Sequence, residues 1–458
     1  MTRRLPGPTP SPYAAAVRTY RPPAPLTPTD LRLHSNEGML LATDWLDVLR
    51  DLPREAISGY PSAATLEADI AEAFNLDAAQ VLAGTGGDDV VERALRAYLC
   101  PGRTVILNEP SFVMLNRYAT LAGGEPVALP WLAGPLPVED MLAAVDKTTA
   151  MIVVVSPNNP TGLTATADDL QRLHDGAPSA MLLVDLAYGE FADEDLTAPA
   201  LSLPNTIVIR SFSKAWGLAG LRVGWAAGPP DVIEQLRAVG HPYPVSAPAA
   251  AIVSHMLRQG RSLVDDFVGR IRKHRRLLAD LLTDCGADVT PSQANFVLAR
   301  FDDAPWVRDA LAGMGIAVRV FPDAPVLGDR LRITIPGDEG DLHRLCGALE
   351  TVLRPDGVLI DSRAPGSSEL ADRLAGRWRR PVVSTSTKTT YLRTVAADLG
   401  AGRCWFAGTD VDAVRAARQA GLLPLGVKTP NGPNERDLLL AGAARVLTNL
   451  RQLEEFLP

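Results

Sequence analysis

The sequence predicts an α/β protein: a large, mainly parallel sheet domain, a smaller α+β domain, and an additional α/β domain at the C-terminus. Three observations carry this. Short apolar, β-branched runs recur between Val81 and Ile209 without polar alternation, as strands buried on both faces of a parallel sheet require. Helical stretches separate these runs, and a polar or reactive residue follows each one. Near Leu353–Arg354–Pro355 the pattern restarts as strand, helix, strand.

Taken in order, residues 1–30 hold eight prolines, which predict a stiff, mostly extended arm rather than a helix. The runs Val81–Ala83, Thr104–Leu107, Met151–Val155, Met181–Val184 and Thr206–Ile209 predict strands ending at Gly84, Asn108, Ser156, Asp185 and Arg210. Asp88–Leu99 and Ala167–His174 supply crossover helices. Ligands of open α/β sheets collect at the carboxyl ends of the strands, so the residues after these runs are the first functional pointer. A long helix over Ser262–Leu282 follows. The β-like runs Asn295–Ala299, Ile316–Val320 and Leu331–Ile335 then predict the smaller α+β domain, joined by the N-terminal arm. The expected division is an arm at 1–30, a main portion at 31–353 with its large domain at about 60–250, and a separate α/β domain at 354–458.

At 458 residues the chain exceeds what one core serves, and 47% hydrophobic with 21% charged residues describes an ordinary globular protein. A formal net charge of −8 argues against a nucleic-acid polymer as partner. No apolar stretch approaches the ~20 residues needed to cross a bilayer. The N-terminus has arginines but no apolar core of a secretory signal, so a soluble, cytoplasmic protein is expected. Cys100, Cys285, Cys346 and Cys404 stand singly, and the six histidines are dispersed without H-E-x-x-H spacing. Reduced thiols and no metal site are expected.

The chemistry concentrates in SFSKAWGLAGLRVGW, Ser211 to Trp225. Lys214 follows a buried strand and is bracketed by the hydroxyls of Ser211 and Ser213, three glycines and Arg222. Glycines permit close backbone approach, hydroxyls donate to phosphate oxygens, and a guanidinium makes bidentate phosphate contacts. GTGGDD, Gly84 to Asp89, opens a helix whose backbone N–H groups at Gly87 and Asp88 can face an anion. GYP, EPSF, SPNNPTG, VDLAY, PSQANF, GIAVR and RLRITI complete the set. Each is ordinary alone; N-P-T-G, for instance, is a good turn.

In this order the motifs resemble the fold-type I pyridoxal-phosphate enzymes, specifically class I/II aminotransferases close to histidinol-phosphate aminotransferase, over roughly Leu31 to Leu353. The resemblance implies that Lys214 holds pyridoxal 5'-phosphate as a Schiff base and moves the proton at the substrate α-carbon. It implies that Asp185 pairs with the pyridine nitrogen, that Asn159 and Tyr188 reach the phenolic oxygen, and that Phe112 stacks on the ring. Gly87, Asp88, Ser211, Ser213 and Arg222 would hold the phosphate. Tyr60 would reach the partner's cofactor across a homodimer. Asn36, Asn295, Arg319 and Arg332 would grip the substrate's carboxylate or other anionic group. The implied activity is transamination of a small amino acid or amino-phosphate.

Departures from the family sit mostly on the substrate side. Its N-E-N-P segment reads Asn36–Glu37–Gly38–Met39, and its usual acid after Asp185 is Leu186. Gly87 replaces a Ser, Leu115 stands where Tyr is common, and Pro244 replaces an Asn. They keep a second reading open: the same cofactor driving elimination, replacement or carbon–carbon bond formation in a specialised biosynthetic pathway.

The C-terminal domain resembles haloacid-dehalogenase-like phosphatases through LRPDGVLIDS (Leu353 to Ser362), PVVSTS and WFAGTDVDAVRAARQAGLLPLGV. In that alignment the family's nucleophilic Asp falls on Arg354 and its metal-binding Asp on Thr409, with Asp410 and Asp412 close by. A guanidinium has no lone pair to attack with, so a degenerate domain is expected, serving as a structural, dimer-extending or ligand-recognition module.

Overall fold

The computed structural model describes residues 9–19, 26–41, 45–377, 382–385, 389–398 and 400–457. The chain folds as two units. One centres on Glu37–Arg272 and includes Thr290–Asn295; the other takes Lys273–Val289 and the chain from Phe296 onward, together with the described part of Pro22–Asn36.

Strand β1 (Leu31–Leu33) belongs to the second unit. The first unit is built on β2 (Val81–Gly84), β3 (Thr104–Glu109), β4 (Glu125–Pro130), β5 (Thr149–Val155), β6 (Met181–Asp185), β7 (Thr206–Ser211) and β8 (Gly224–Ala227). They form one sheet in the order β2-β8-β7-β6-β5-β3-β4. Every pairing from β7 to β4 is parallel, and β8 alone runs against its neighbours. Alternate residues serve opposite faces. Val105, Leu107, Val153, Leu183 and Ile207 enter one core layer, while Ile106, Ile152, Val154, Leu182 and Val208 enter the other. Burial on both faces is why these runs carry no polar alternation. The sequence missed β4, whose exposed residues include Pro126 and Pro130. Proline is tolerated there because β4 is an edge strand, where missing N–H groups break no ladder. β8 was missed as well, hidden behind the cofactor-lysine motif.

The expectation of a non-helical N-terminal arm is corrected over its described part. Pro12–Ala16 forms a short helix, with Ser11 accepting from the Ala14 N–H. Pro12 occupies the first helical position, where its fixed φ suits a helix and its missing N–H is not needed.

In the second unit β1 pairs in parallel with β11 (Ile316–Val318), so the segment after the arm does join this unit. β9 (Asp288–Thr290), β10 (Phe296–Arg300) and β12 (Arg330–Thr334) make a three-stranded sheet, with Leu298 opposite Arg332. The C-terminal residues add a five-stranded, all-parallel sheet of β13 (Gly357–Asp361), β14 (Val382–Thr385), β15 (Cys404–Gly408), β16 (Leu423–Val427) and β17 (Val446–Leu447), ordered β14-β13-β15-β16-β17. It is knit to the preceding helices of the same unit. The buried Trp405 donates its indole N–H to the Thr351 carbonyl at 2.7 Å and lies 5.2 Å from the Trp306 ring. Arg445 pairs with Asp309 at 2.8 Å.

The alignment of Arg354 with a nucleophile is corrected here. Arg354 closes the helix Glu339–Leu353 and precedes β13, so it lies at the sheet's amino edge. The residue at the carboxyl edge of that strand is Asp361, which is fully buried. Asp361 accepts from Arg363 Nε at 3.0 Å and Nη2 at 2.9 Å, and from the Thr409 hydroxyl at 2.6 Å. Burial works to raise its carboxyl; the hydrogen bonds from Arg363 and Thr409 overcome this and hold it below the usual carboxylate range.

Candidate active site

The parallel strands deliver the predicted residues to one sheet edge. Val155, Asp185 and Ile209 are register partners across β5, β6 and β7, so Ser156, Asp185 and Ser211 end neighbouring strands. From Ser211 the chain turns sharply: the Ser213 N–H donates to the Ser211 hydroxyl, and the Gly217 N–H to the Lys214 carbonyl. Lys214 lies on this turn, half-buried, with its Nζ 5.6 Å from the centre of the Tyr188 ring.

Two glycines let a second segment lie directly on this turn. A Cβ at Gly38 would fall 1.9 Å from the Lys214 carbonyl oxygen, and one at Gly217, whose φ is +69°, would fall 2.1 Å from the Met39 carbonyl. No side chain fits in that space. The departure from N-E-N-P at Gly38 therefore has a steric cause.

The far side of the turn is anchored by residues to which the sequence reading gave no role, beyond the place of Arg210 at a strand end. Trp216 is buried and donates its indole N–H to Glu190 at 3.1 Å. Arg210, 2% exposed, bridges Glu190 at 2.8 Å and Asp195 at 2.9 Å, beneath the Phe74 ring at 5.0 Å. The available signal was an arginine closing an apolar run, since a buried arginine needs acidic partners.

Asp185 is 6% exposed, and its Oδ1 accepts the Ala187 N–H at 2.9 Å. Burial pushes its carboxyl up to about 6, against the opposing pull of the Ala187 N–H; Asp88 adds to the rise and Lys214 reduces it. A carboxylate held this way favours a cationic partner within the site. Asn159 is half-buried, while its fully buried neighbour Asn158 ties the loop together through Ser111, the Pro110 carbonyl and Thr161. Phe112 packs on the edge of the core cluster below.

Gly84 leads into the helix Gly86–Tyr98. Asp89 fixes its first turn by accepting from the Thr85 N–H and from the buried Arg93 at 2.9 and 2.8 Å. Gly86, at φ +80°, and Gly224 admit no Cβ: Arg222 Nη2 lies 2.6 Å from the first and the Gly87 nitrogen 2.5 Å from the second. At Gly87 the nearest atom to a Cβ is Ser211 Cβ at 4.0 Å, which leaves open space between the helix N-terminus and Ser211. Arg222 reaches over this space, 3.3 Å from Asp88. Backbone N–H groups at a helix N-terminus, a nearby serine and a guanidinium around a void that a Cβ could enter fit a phosphate.

Leu186 and Leu115 are both 1% exposed and belong to the two core layers, where a polar side chain would be costly. The carbonyl of Pro244 accepts the Thr85 hydroxyl at 2.5 Å. Tyr60 is 84% exposed and stacks on Tyr243, with ring centres 4.5 Å apart. Asn295 is buried in the first unit.

The second unit gathers Asn36, Arg319 and Arg332. Asn36 and Thr334 exchange two hydrogen bonds, at 3.1 and 2.9 Å. Arg332 is 6% exposed and donates to the His34 carbonyl at 2.7 Å. Arg319 and Arg332 are backbone partners, and both guanidiniums lie within 6 Å of the Phe321 ring. Among the described residues no group of three or more His, Cys, Asp or Glu could hold a metal ion, and no helix is long and apolar enough to cross a membrane.

The family model for aminotransferase class I and II matches residues 33–349, more than half of the chain. The chain belongs to the class I and II aminotransferases. The histidinol-phosphate aminotransferase of Erythrobacter litoralis is 38% identical over 335 residues, covering 69% of this chain and 88% of that protein. That of Maricaulis maris is 33% identical over 359 residues, covering 74% and 97%. The structure of the Sinorhizobium meliloti histidinol-phosphate aminotransferase in complex with pyridoxal-5'-phosphate superposes with a TM-score of 0.67 at 24% identity, over 75% of this chain and 97% of that one. This aminotransferase is a pyridoxal-phosphate-dependent transferase acting on small molecules, histidinol-phosphate aminotransferase-like over its N-terminal three quarters.

Proposed function

We propose that this aminotransferase works through Lys214 on an amino acid or amino-phosphate whose anionic end is held by Arg332 and Arg319. The buried Asp185, at the strand end beside the lysine turn, is the observation that carries the assignment of the site. Bound pyridoxal phosphate supplies the electron sink for the bond that breaks at the substrate α-carbon. Lys214 would take the proton from that carbon and deliver it to the cofactor carbon bound to the substrate nitrogen, acting as base and then as acid. Asp185 holds positive charge at the pyridine nitrogen, which offsets its own burial. Asn159 and Tyr188 orient the phenolic oxygen, and Phe112 fixes the plane of the ring. Gly87, Asp88, Ser211, Ser213 and Arg222 anchor the phosphate. Asn36 and Asn295 complete the substrate side.

The named relatives act on histidinol phosphate, and an amino-phosphate is accordingly the first substrate to test. The exposed Tyr60 supports a homodimer in which it serves the partner's phosphate. We further propose the partition into an arm at 1–30, an aminotransferase portion at 31–353 and a degenerate haloacid-dehalogenase-like domain at 354–458. The parallel order of β13 to β17 supports that likeness. Its silence rests on Arg363, which occupies the Asp361 carboxylate, rather than on Arg354.

The test is a single-turnover incubation of the holoenzyme with histidinol phosphate or glutamate and no acceptor. Loss of the lysine-bound visible absorbance to the amine form of the cofactor is expected, with no such absorbance in Lys214→Ala. Unchanged absorbance with release of ammonia would mark the elimination reading instead.

A further inference from the structure

A cavity of about 730 Å³ opens within the second unit, between the helix Glu339–Leu353 and the helix Val411–Gln419 of the C-terminal sheet. Its volume is that of a small-molecule site. Four guanidiniums line it (Arg344, Arg403, Arg415 and Arg418) together with His343, and among the lining residues the one carboxylate is Asp30.

The cations are unevenly answered. Arg344 takes both oxygens of Asp30, at 2.6 and 2.9 Å, and Arg403 is held by Asp356 and Glu350. Arg418 is left with the Pro28 carbonyl at 2.7 Å and the already engaged Asp30 at 3.7 Å. Arg415 meets Asp412 of its own helix at 3.8 Å. Positions 415 and 418 are three apart, hence on one helix face. Burial and the neighbouring Arg344 push the Arg418 guanidinium below its ordinary value, a strain that an anion in the cavity relieves.

The glycines of the wall point the same way. Gly347 sits mid-helix, on the face that also carries His343, Arg344 and Thr351. Glycine is a poor interior helix residue, and the usual reason to keep one is close packing. Here a Cβ would meet nothing within 4 Å, and the same holds at Gly402 across the cavity. The chain's own packing does not demand these glycines, and their bare backbone leaves room for an occupant close to the wall. Gly421 differs, because its φ of +81° itself requires glycine.

We propose that this cavity binds a phosphorylated small molecule, with Arg415 and Arg418 as its phosphate grip and Gly347 as the floor that admits it. Planar guanidiniums match phosphate oxygens in bidentate fashion, which favours phosphate over a dispersed charge. Neither the cofactor lysine nor any residue assigned to the transamination contributes to it.

The test is calorimetric titration of the holoenzyme with pyrophosphate, and with citrate in parallel, at fixed ionic strength. Saturable binding at one site per chain is expected for pyrophosphate. It should weaken at least tenfold in Arg415→Gln/Arg418→Gln and in Gly347→Leu, which fills the floor, with the visible absorbance of the cofactor retained in both. Arg415→Gln alone, at a position where the side chain is 59% exposed, covers the case in which the double variant does not fold, and a severalfold weakening is expected there. Absence of saturable binding, equal affinity in these variants, citrate binding as tightly as pyrophosphate, or a loss confined to Arg332→Met would each overturn the proposal.

Discussion

Asp185 makes its own apoprotein less stable, and the size of that effect can be worked out. Its carboxyl is raised from 3.8 to about 6 by burial in the folded, cofactor-free protein. At 1.36 kcal/mol per tenfold change, ionising it there costs about 3 kcal/mol. The sign follows from proton binding. Well below pH 4 folded and unfolded chains both carry the proton, and folding bears no penalty. Between pH 4 and 6 the unfolded chain ionises first, so stability falls as pH rises, and above pH 6 the full penalty applies. Asp185→Asn keeps the shape and removes the charge. The apo variant should therefore exceed the wild type only by about 0.5 kcal/mol near pH 4 and by up to about 3 kcal/mol at pH 8, while losing most transaminase turnover. Denaturant unfolding of both apoproteins across pH 4–8 measures the difference. Parallel stability curves over that range would refute the reasoning, and with it the claim that this carboxylate awaits a cationic partner.

Other perturbations act on neighbouring parts of the site. Asp89→Ala strands the guanidinium of Arg93, which is 1% exposed, and should cost about 3–5 kcal/mol in denaturant unfolding. Glu190→Ala removes one of the two ion-pair partners of Arg210 and frees the Trp216 indole; a drop in stability of similar order and a shifted cofactor absorbance are expected. Gly87→Ser places a hydroxyl in open space at the helix N-terminus and should tighten cofactor binding by about 1 kcal/mol, roughly fivefold in Kd by equilibrium dialysis. Gly38→Ala drives a methyl into the Lys214 carbonyl, so activity should fall sharply while the small α+β elements keep their circular dichroism.

Much of the site was legible because the sheet does the sorting. Parallel strands buried on both faces read as plain apolar runs, and the polar residue ending each run is delivered to a common edge; Asp185 needed no more than that, whereas Ser211 came from the lysine motif. Arg210 was illegible for the opposite reason. It sits inside the same edge pattern, yet its partners Glu190 and Asp195 come from a loop with no periodicity to reveal them. Gly38 looked like decay of a motif until the contact with Lys214 showed that the position has no room for a side chain. At Arg354 the similarity of PDGVLIDS to a phosphatase motif drew attention to the residues before the strand. Only the strand's actual start at Gly357 shows that Asp361, not Arg354, occupies the ligand edge. Strand β4 stayed hidden because prolines mask an edge strand from any reading based on propensity.

The shared indoles of Trp306 and Trp405 bear on how this chain can change over time. An appended domain joined through a linker can be trimmed away with little harm. Here one tryptophan comes from each side of the junction, and the Trp405 N–H is satisfied by a carbonyl of the preceding helix. Ending the chain at Leu353 would open that apolar surface to water and leave Asp309 without Arg445. The C-terminal sheet is thereby retained by folding alone, so its persistence needs no catalytic role.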